Sequence, residues 1–140
     1  MNTTSPLAAT GPNADQIDYW NSDVGERWAR FQDRLDGMLQ PFSAAVLDVA
    51  GIEPGERILD IGCGCGATTF DAAAKTGASG RALGVDISAP MVARASARAT
   101  EPGRPAEFML AGPTAPRFGP TAVALLVTRV GCVRFDDPGR

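Results

Sequence analysis

Asp60, Gly62, Gly64, Gly66 and Asp86 are the residues whose types and spacing could do chemistry in this chain. Asp60 stands in a short apolar run, Ile58-Leu59-Asp60-Ile61, and three glycines follow at alternate positions in Gly62-Cys63-Gly64-Cys65-Gly66. Ile58, Leu59 and Ile61 read as a buried strand, and the glycines as a turn without Cβ atoms, which a ligand can approach closely. Ala67 to Lys75 then reads as a helix closed by Gly77. Strand, glycine turn and helix in that order form the entry of a Rossmann-like nucleotide site. The spacing G-x-G-x-G departs from the dinucleotide pattern G-x-G-x-x-G, whose helix N-terminus receives a pyrophosphate. A carboxylate at Asp60 repels phosphate charge and favours a ligand that carries an ammonium and a sulfonium.

A second acid closes a second strand. Arg81-Ala82-Leu83-Gly84-Val85-Asp86 ends in Asp86, about 20 residues past the glycine turn, where folds of this kind hold the two hydroxyls of a ribose. The competing assignment for Asp86 is a cap on the helix that starts near Ser88, where a negative charge also suits the N-terminal dipole.

Other elements must hold these two acids in place. Residues 1–13 read as a flexible tail, 14–55 as an N-terminal helical segment and 56–140 as the domain that carries the glycine turn. Val24, Trp28, Phe31, Leu35 and Met38 recur at steps of three and four, which predicts one apolar helical stripe with Trp28 in the core. Pro41 predicts the start of a separate helix, Phe42 to Ala50, stopped by Gly51. A helix from about Ser88 to Ala99 is expected with Arg94 and Arg98 in solvent. Strands follow at Glu107 to Ala111 and at Ala122 to Thr128.

The segment Asp60-Ile61-Gly62-Cys63-Gly64-Cys65-Gly66 resembles motif I of the class I S-adenosylmethionine (SAM) dependent methyltransferases, and Gly84-Val85-Asp86-Ile87-Ser88 resembles their post-I motif. The likeness runs from about Gln16 to Pro138 and is strongest between Glu56 and Arg98. It implies an α/β, Rossmann-like class I methyltransferase fold, here a partial parallel sheet of about four strands with N-terminal helices. It also implies SAM as cofactor, held by Asp60, Gly62, Cys63, Gly64, Gly66, Asp86 and Ile87. Asp60 would orient the methionine amino group, Asp86 the ribose, and Ile87 would lie against the adenine, with Met91 a further candidate there. Asp18-Tyr19-Trp20-Asn21 resembles a family segment bordering the site, so Tyr19 and Trp20 form either a lid or core.

The family pattern thins after the third strand. Gly112 stands where an adenine-binding acid is common, Val123-Ala124 where a Phe-Asp pair is, and Arg134 where an apolar ring is expected. The full family sheet runs in the order 3-2-1-4-5-7-6, so the expectation is a C-terminally truncated form. Its uncharged edge run, 122–127, would invite self-association. Two functions follow: transfer of a methyl group to a small-molecule acceptor, or a non-catalytic SAM-binding remnant that needs a partner chain. A nicotinamide-dependent dehydrogenase is disfavoured by the glycine spacing and by Asp60.

Composition narrows the remaining classes. The chain has 140 residues, 44% hydrophobic and 21% charged, with a net charge of −3 and no histidine. That describes a globular chain with no basic surface for nucleic acid. Three cysteines, two of them in Cys63-Gly64-Cys65, fit neither a disulfide framework nor zinc spacing, so no metal is expected. Neither a signal peptide nor a membrane-spanning run is legible, which points to the cytoplasm. Without histidine, any general base would have to be a carboxylate, Tyr19 or the substrate itself.

Overall fold

The computed structural model describes residues 5–112 and 125–127. A 3-10 turn, Gly11–Asn13, leads into α1 (Ala14–Trp20), α2 (Asp23–Arg30) and α3 (Gln32–Ala50). Then strands and helices alternate: β1 (Arg57–Ile61), α4 (Ala67–Thr76), β2 (Arg81–Asp86), α5 (Ala89–Ala99), β3 (Glu107–Leu110) and β4 (Leu125–Val127). The four strands pair in the order β3-β2-β1-β4, all parallel. Chain direction across the sheet therefore reverses at β1, which sends β2 and β3 to one side and β4 to the other. In open α/β sheets the crevice beyond the carboxyl end of such a strand is the usual ligand position. In this chain the glycine turn starts at that end. Among the described residues no helix is long and apolar enough to cross a membrane.

The period-two pattern of the strands divides the core. Ile58 and Ala82 pack with Leu47 of α3 and with Ala72 and Ala73 of α4. Leu59, Ile61 and Val85 form a second buried cluster that contains no residue of a described helix. Each fully buried aliphatic side chain in such a cluster contributes about 1.5–3 kcal/mol. The hydroxyls of Ser43 on α3 and Thr68 on α4 meet at 3.2 Å in the interior, so the two helices are also joined by a polar contact.

Three expectations about the helices are corrected. Residues 32–50 form one helix with Pro41 inside it rather than a new helix from Phe42. The proline sacrifices one backbone hydrogen bond, but the helix is held on both sides of it by buried Gln32, Ser43 and Leu47. The stripe of Phe31, Leu35 and Met38 lies largely at the surface, with Met38 65% and Phe31 42% exposed. Trp28 is only half-buried, edge-on to Trp20 at 5.7 Å. Arg98 is not in solvent: it is 8% exposed and pairs with Asp36 at 3.0 Å. Its guanidinium also lies over the Phe70 ring.

Helices α2 and α5 touch where Gly25 has no side chain. A Cβ there would overlap the Trp20 carbonyl and lie 2.8 Å from Ser88 Oγ. At Gly37, in the middle of α3, a Cβ would meet nothing within 4 Å. Gly25→Ala should therefore lower stability by about 1–3 kcal/mol through overpacking. Gly37→Ala should raise it by roughly 0.5–1 kcal/mol through helix propensity. Urea midpoints of the two variants, moving in opposite directions, check both.

Candidate functional site

The turn that follows β1 is built from left-handed backbone. Gly62, Gly64 and Gly66 have φ values of 71°, 54° and 90°, a region that L-residues with a Cβ enter only at a cost. The amides of Gly62 and Cys63 both donate to the Val85 carbonyl, at 2.9 and 3.1 Å, which fastens the turn to the end of β2. Gly66 N–H donates to Cys63 O, and Gly66 O receives Phe70 N–H as the first bond of α4. The space left by the missing side chains is taken by neighbours. A Cβ on Gly64 would press on the Met91 methyl, and one on Gly66 on the Phe108 ring. Gly84 in β2 leaves room for the Cys63 side chain in the same way.

Asp60 and Asp86 have different surroundings. Asp60 is 1% exposed under the turn, and its carboxylate accepts a 2.7 Å hydrogen bond from the Thr69 hydroxyl in the first turn of α4. Asp86 keeps a partly exposed edge. Its two oxygens accept from Gly64 N–H at 2.8 Å and Ser88 N–H at 2.9 Å. The Ser88 bond is the capping interaction weighed from sequence, so capping is part of what Asp86 does. A carboxylate offers about four lone-pair sites. These bonds, with the pull of the Ile87 amide, leave acceptor capacity on the carboxylate, while the Asp86 backbone carbonyl accepts from Ala111 N–H. Gly112, which stands where the family commonly has an acid, is half-buried, and no described residue lies within 4 Å of its missing side chain. Ile87 is buried beside Asp86, and Met91 is buried against the turn. Val123-Ala124 and Arg134 lie outside the described residues.

Burial raises the Asp86 carboxyl above its ordinary value of 3.8, against a downward pull from the amides of Ser88, Gly64 and Ile87. Burial likewise raises the Cys63 thiol, with Asp86 and Asp60 adding to the effect. Cys65 is pushed up to about 12 by burial and by the nearby Asp36 carboxylate. Neither thiol is poised as a nucleophile.

Two anchors of this site are not legible in the sequence. Arg98 donates to the Cys65 carbonyl at 2.6 Å and pairs with Asp36, tying the turn to α5 and α3. Asn21 joins the end of α1 to the loop after β2. Its Nδ2 donates to Ile17 O at 2.7 Å and to Ile87 O at 2.8 Å, and its Oδ1 accepts from Ala89 N–H at 2.8 Å. Beside it, Ser88 Oγ donates to Trp20 O at 2.7 Å. The Asp18-to-Asn21 segment thus borders the Asp86 loop through its backbone and Asn21. Tyr19 stays 52% exposed, and Trp20 is half-buried. Only its place beside two sequence-legible aromatics pointed to Asn21.

Comparison with known proteins agrees with this geometry. Residues 58–139 match the family model described as a methyltransferase domain, and the chain belongs to that family. It is 39% identical over 79 residues to nocamycin O-methyltransferase of Saccharothrix syringae, covering 51% of this chain and 28% of the relative. It is 40% identical over 98 residues to the aklanonic acid methyltransferase of a Streptomyces species, covering 69% and 44%. The chain thus spans less than half the length of either curated relative. The structure of magnesium protoporphyrin IX methyltransferase from Synechocystis, with bound SAH, superposes with a TM-score of 0.55. That match has 29% identity and covers 71% of this chain and 51% of the other.

The Asp86 shift has a definite sign. A folded-state pKa above the unfolded one means that the ionised carboxylate costs stability at neutral pH. The cost is relieved as pH falls through the raised value, in the window between that value and 3.8. A carbon-detected NMR titration of the Asp86 carboxyl should show a midpoint above 3.8. Asn21→Ala should cost about 1–3 kcal/mol, because it leaves buried backbone groups without partners. It should also speed amide exchange at Ala89 selectively, and a hydrogen-exchange map checks this.

Proposed function

We propose that this chain binds SAM at the carboxyl ends of β1 and β2 and belongs to an enzyme that transfers its methyl group to a small-molecule acceptor. The observation that carries the reading is the Asp86 carboxylate. It is fixed by the backbone amides of Gly64 and Ser88, keeps acceptor capacity, and belongs to a half-buried residue bonded to the glycine turn. That carboxylate suits a pair of vicinal hydroxyls. Ile87 and Met91 are buried apolar side chains close to it, and the half-buried Gly62 and Gly112 carry no side-chain bulk.

When bound, SAM supplies a sulfonium-activated methyl group with a leaving group that needs no protonation. The protein's own task is then mainly to hold and align, since alignment of two reactants can remove much of a bimolecular barrier. Asp86 holds the ribose end. Asp60 places negative charge under the turn, where it favours an ammonium group, and fixes the start of α4 through Thr69. Gly62, Cys63, Gly64 and Gly66 give the backbone path around the ligand, and Arg98 keeps that path from shifting. Burial raises both cysteine thiols of the turn, which disfavours thiolate chemistry there. The small-molecule class is supported by the named activities of the curated relatives.

Calorimetric titration of the full chain with SAM, against NAD as control, tests the reading. Saturable binding of SAM and not NAD is expected. Asp86→Ala should weaken it by about 1–3 kcal/mol, the value of a charged hydrogen bond. Affinity should also fall as pH drops through the raised Asp86 titration. Unchanged affinity in Asp86→Ala, or displacement of SAM by NAD, would refute the assignment.

A further inference from the structure

One apolar face of α3 is turned outward along its whole length. Phe31, Leu35, Met38, Phe42, Ala45 and Val49 recur at alternating steps of four and three, the spacing that keeps side chains in a single seam along a helix. At the rise of an α-helix the seam is about 27 Å long. The residues that the helix buries, Gln32, Ser43 and Leu47, lie on a different face. Leu35 is half-buried, whereas Phe31, Met38 and Ala45 are exposed, Phe42 is 64% exposed and Val49 is 90% exposed. A continuous apolar strip of this kind marks an interaction surface, unlike apolar residues exposed singly.

The two ends of the seam differ in shape and in charge. At the α2 end Trp28, Phe31, Leu35 and Met38 line an open groove of about 530 Å³, together with Arg27 and Arg34. At the other end Ala45 and Val49 are small and project into solvent. One flank of the seam carries Arg34, Pro41 and Asp48, so the two charges stand seven residues to either side of the proline. Among the described residues Arg34 is in no ion pair. Asp48 is exposed, and its ion pair with Lys75 is a long one, at 3.9 Å.

A surface whose one end complements its other end fits a second copy of itself, turned about a two-fold axis. With the axis near Pro41 the two helices run antiparallel. Met38 then meets Phe42 of the second copy, Leu35 meets Ala45 and Phe31 meets Val49, so the small end of each seam enters the groove of the other. Arg34 of each copy faces Asp48 of the other, and flanking ion pairs of this kind fix the orientation of paired helices. A parallel pair would bring groove to groove and leave both charges without a complement.

We propose that the outer face of α3 is the seam of an antiparallel homodimer, held by apolar contact along the stripe and by two Arg34–Asp48 pairs between the copies. This surface is independent of the reading of the glycine turn as the SAM site.

Sedimentation equilibrium of the full chain over a wide range of concentration tests the proposal. A reversible monomer–dimer equilibrium is expected. Arg34→Asp and Asp48→Arg should each raise the dimer dissociation constant by about tenfold, because each turns two exposed pairs repulsive at once. An equimolar mixture of the two variants should recover wild-type affinity as a heterodimer, in which opposite charges face each other again. Variants that had merely lost their fold would not recover in this way. Met38→Glu, at an exposed position, should leave a monomer with an unchanged circular dichroism spectrum. A wild-type chain that stays monomeric overturns the proposal, whether the face is covered from within the same chain or kept for a different protein. A dimer that survives Met38→Glu also overturns it and places the contact elsewhere, as at the run 122–127. Failure of the mixed variants to recover does the same.

Discussion

Three alternate residues with left-handed backbone, Gly62, Gly64 and Gly66, are the constraint on which this structure turns. Each such position would cost an ordinary L-residue roughly 1–2 kcal/mol. The path they permit takes the chain from the centre of the sheet into α4 within a few residues. It also aims backbone groups in fixed directions. Amides point at the Val85 carbonyl and the Asp86 carboxylate, and the Cys65 carbonyl points at Arg98. Strand β2, helix α5 and helix α3 all attach to this one turn, so its geometry sets where the second acid sits.

The electrostatic design around the turn is long-range. Arg98 is buried with Asp36, and the pair is completed by a backbone carbonyl and an aromatic face. Removal of one partner from such a pair leaves an uncompensated charge, which is far more costly than the pair's own net contribution. Arg94, one turn earlier on α5, donates from Nε and Nη2 to Gln32 Oε1 of α3. The first half of α3 is thus held to α5 by two arginines, while its second half is held to β1 and α4 by apolar packing through Leu47.

Much of this was legible in the sequence because the signals are local. The apolar run ending near Asp60, the glycine spacing and Gly77 specify a strand, a turn and a helix within twenty residues. Asp86 could be found from its distance to the turn. The sheet order β3-β2-β1-β4 agrees with the family likeness of those same motifs. What could not be read depends on partners far along the chain. Arg98 looks like a solvated residue on a helix until Asp36 and Cys65 are brought beside it. Asn21 bonds residues 66 and 68 positions away, and an asparagine at a helix end carries no sign of that. Pro41 misled because local propensity favours a helix start, whereas packing on both sides of it holds a single helix. Trp28 and its stripe misled because helical periodicity identifies an apolar face without saying what that face meets.

The two cysteines of the turn carry a last consequence. Cys63 and Cys65 flank Gly64 with thiols held protonated by burial and neighbouring carboxylates. A sulfonium methyl is an alkylating agent, and a thiolate is among the strongest nucleophiles a protein contains. Burial and the neighbouring carboxylates hold both thiols well above the ordinary range, away from the thiolate form at neutral pH. The same low-dielectric packing that shapes the turn thereby disfavours the form of the thiol that an alkylating agent would attack.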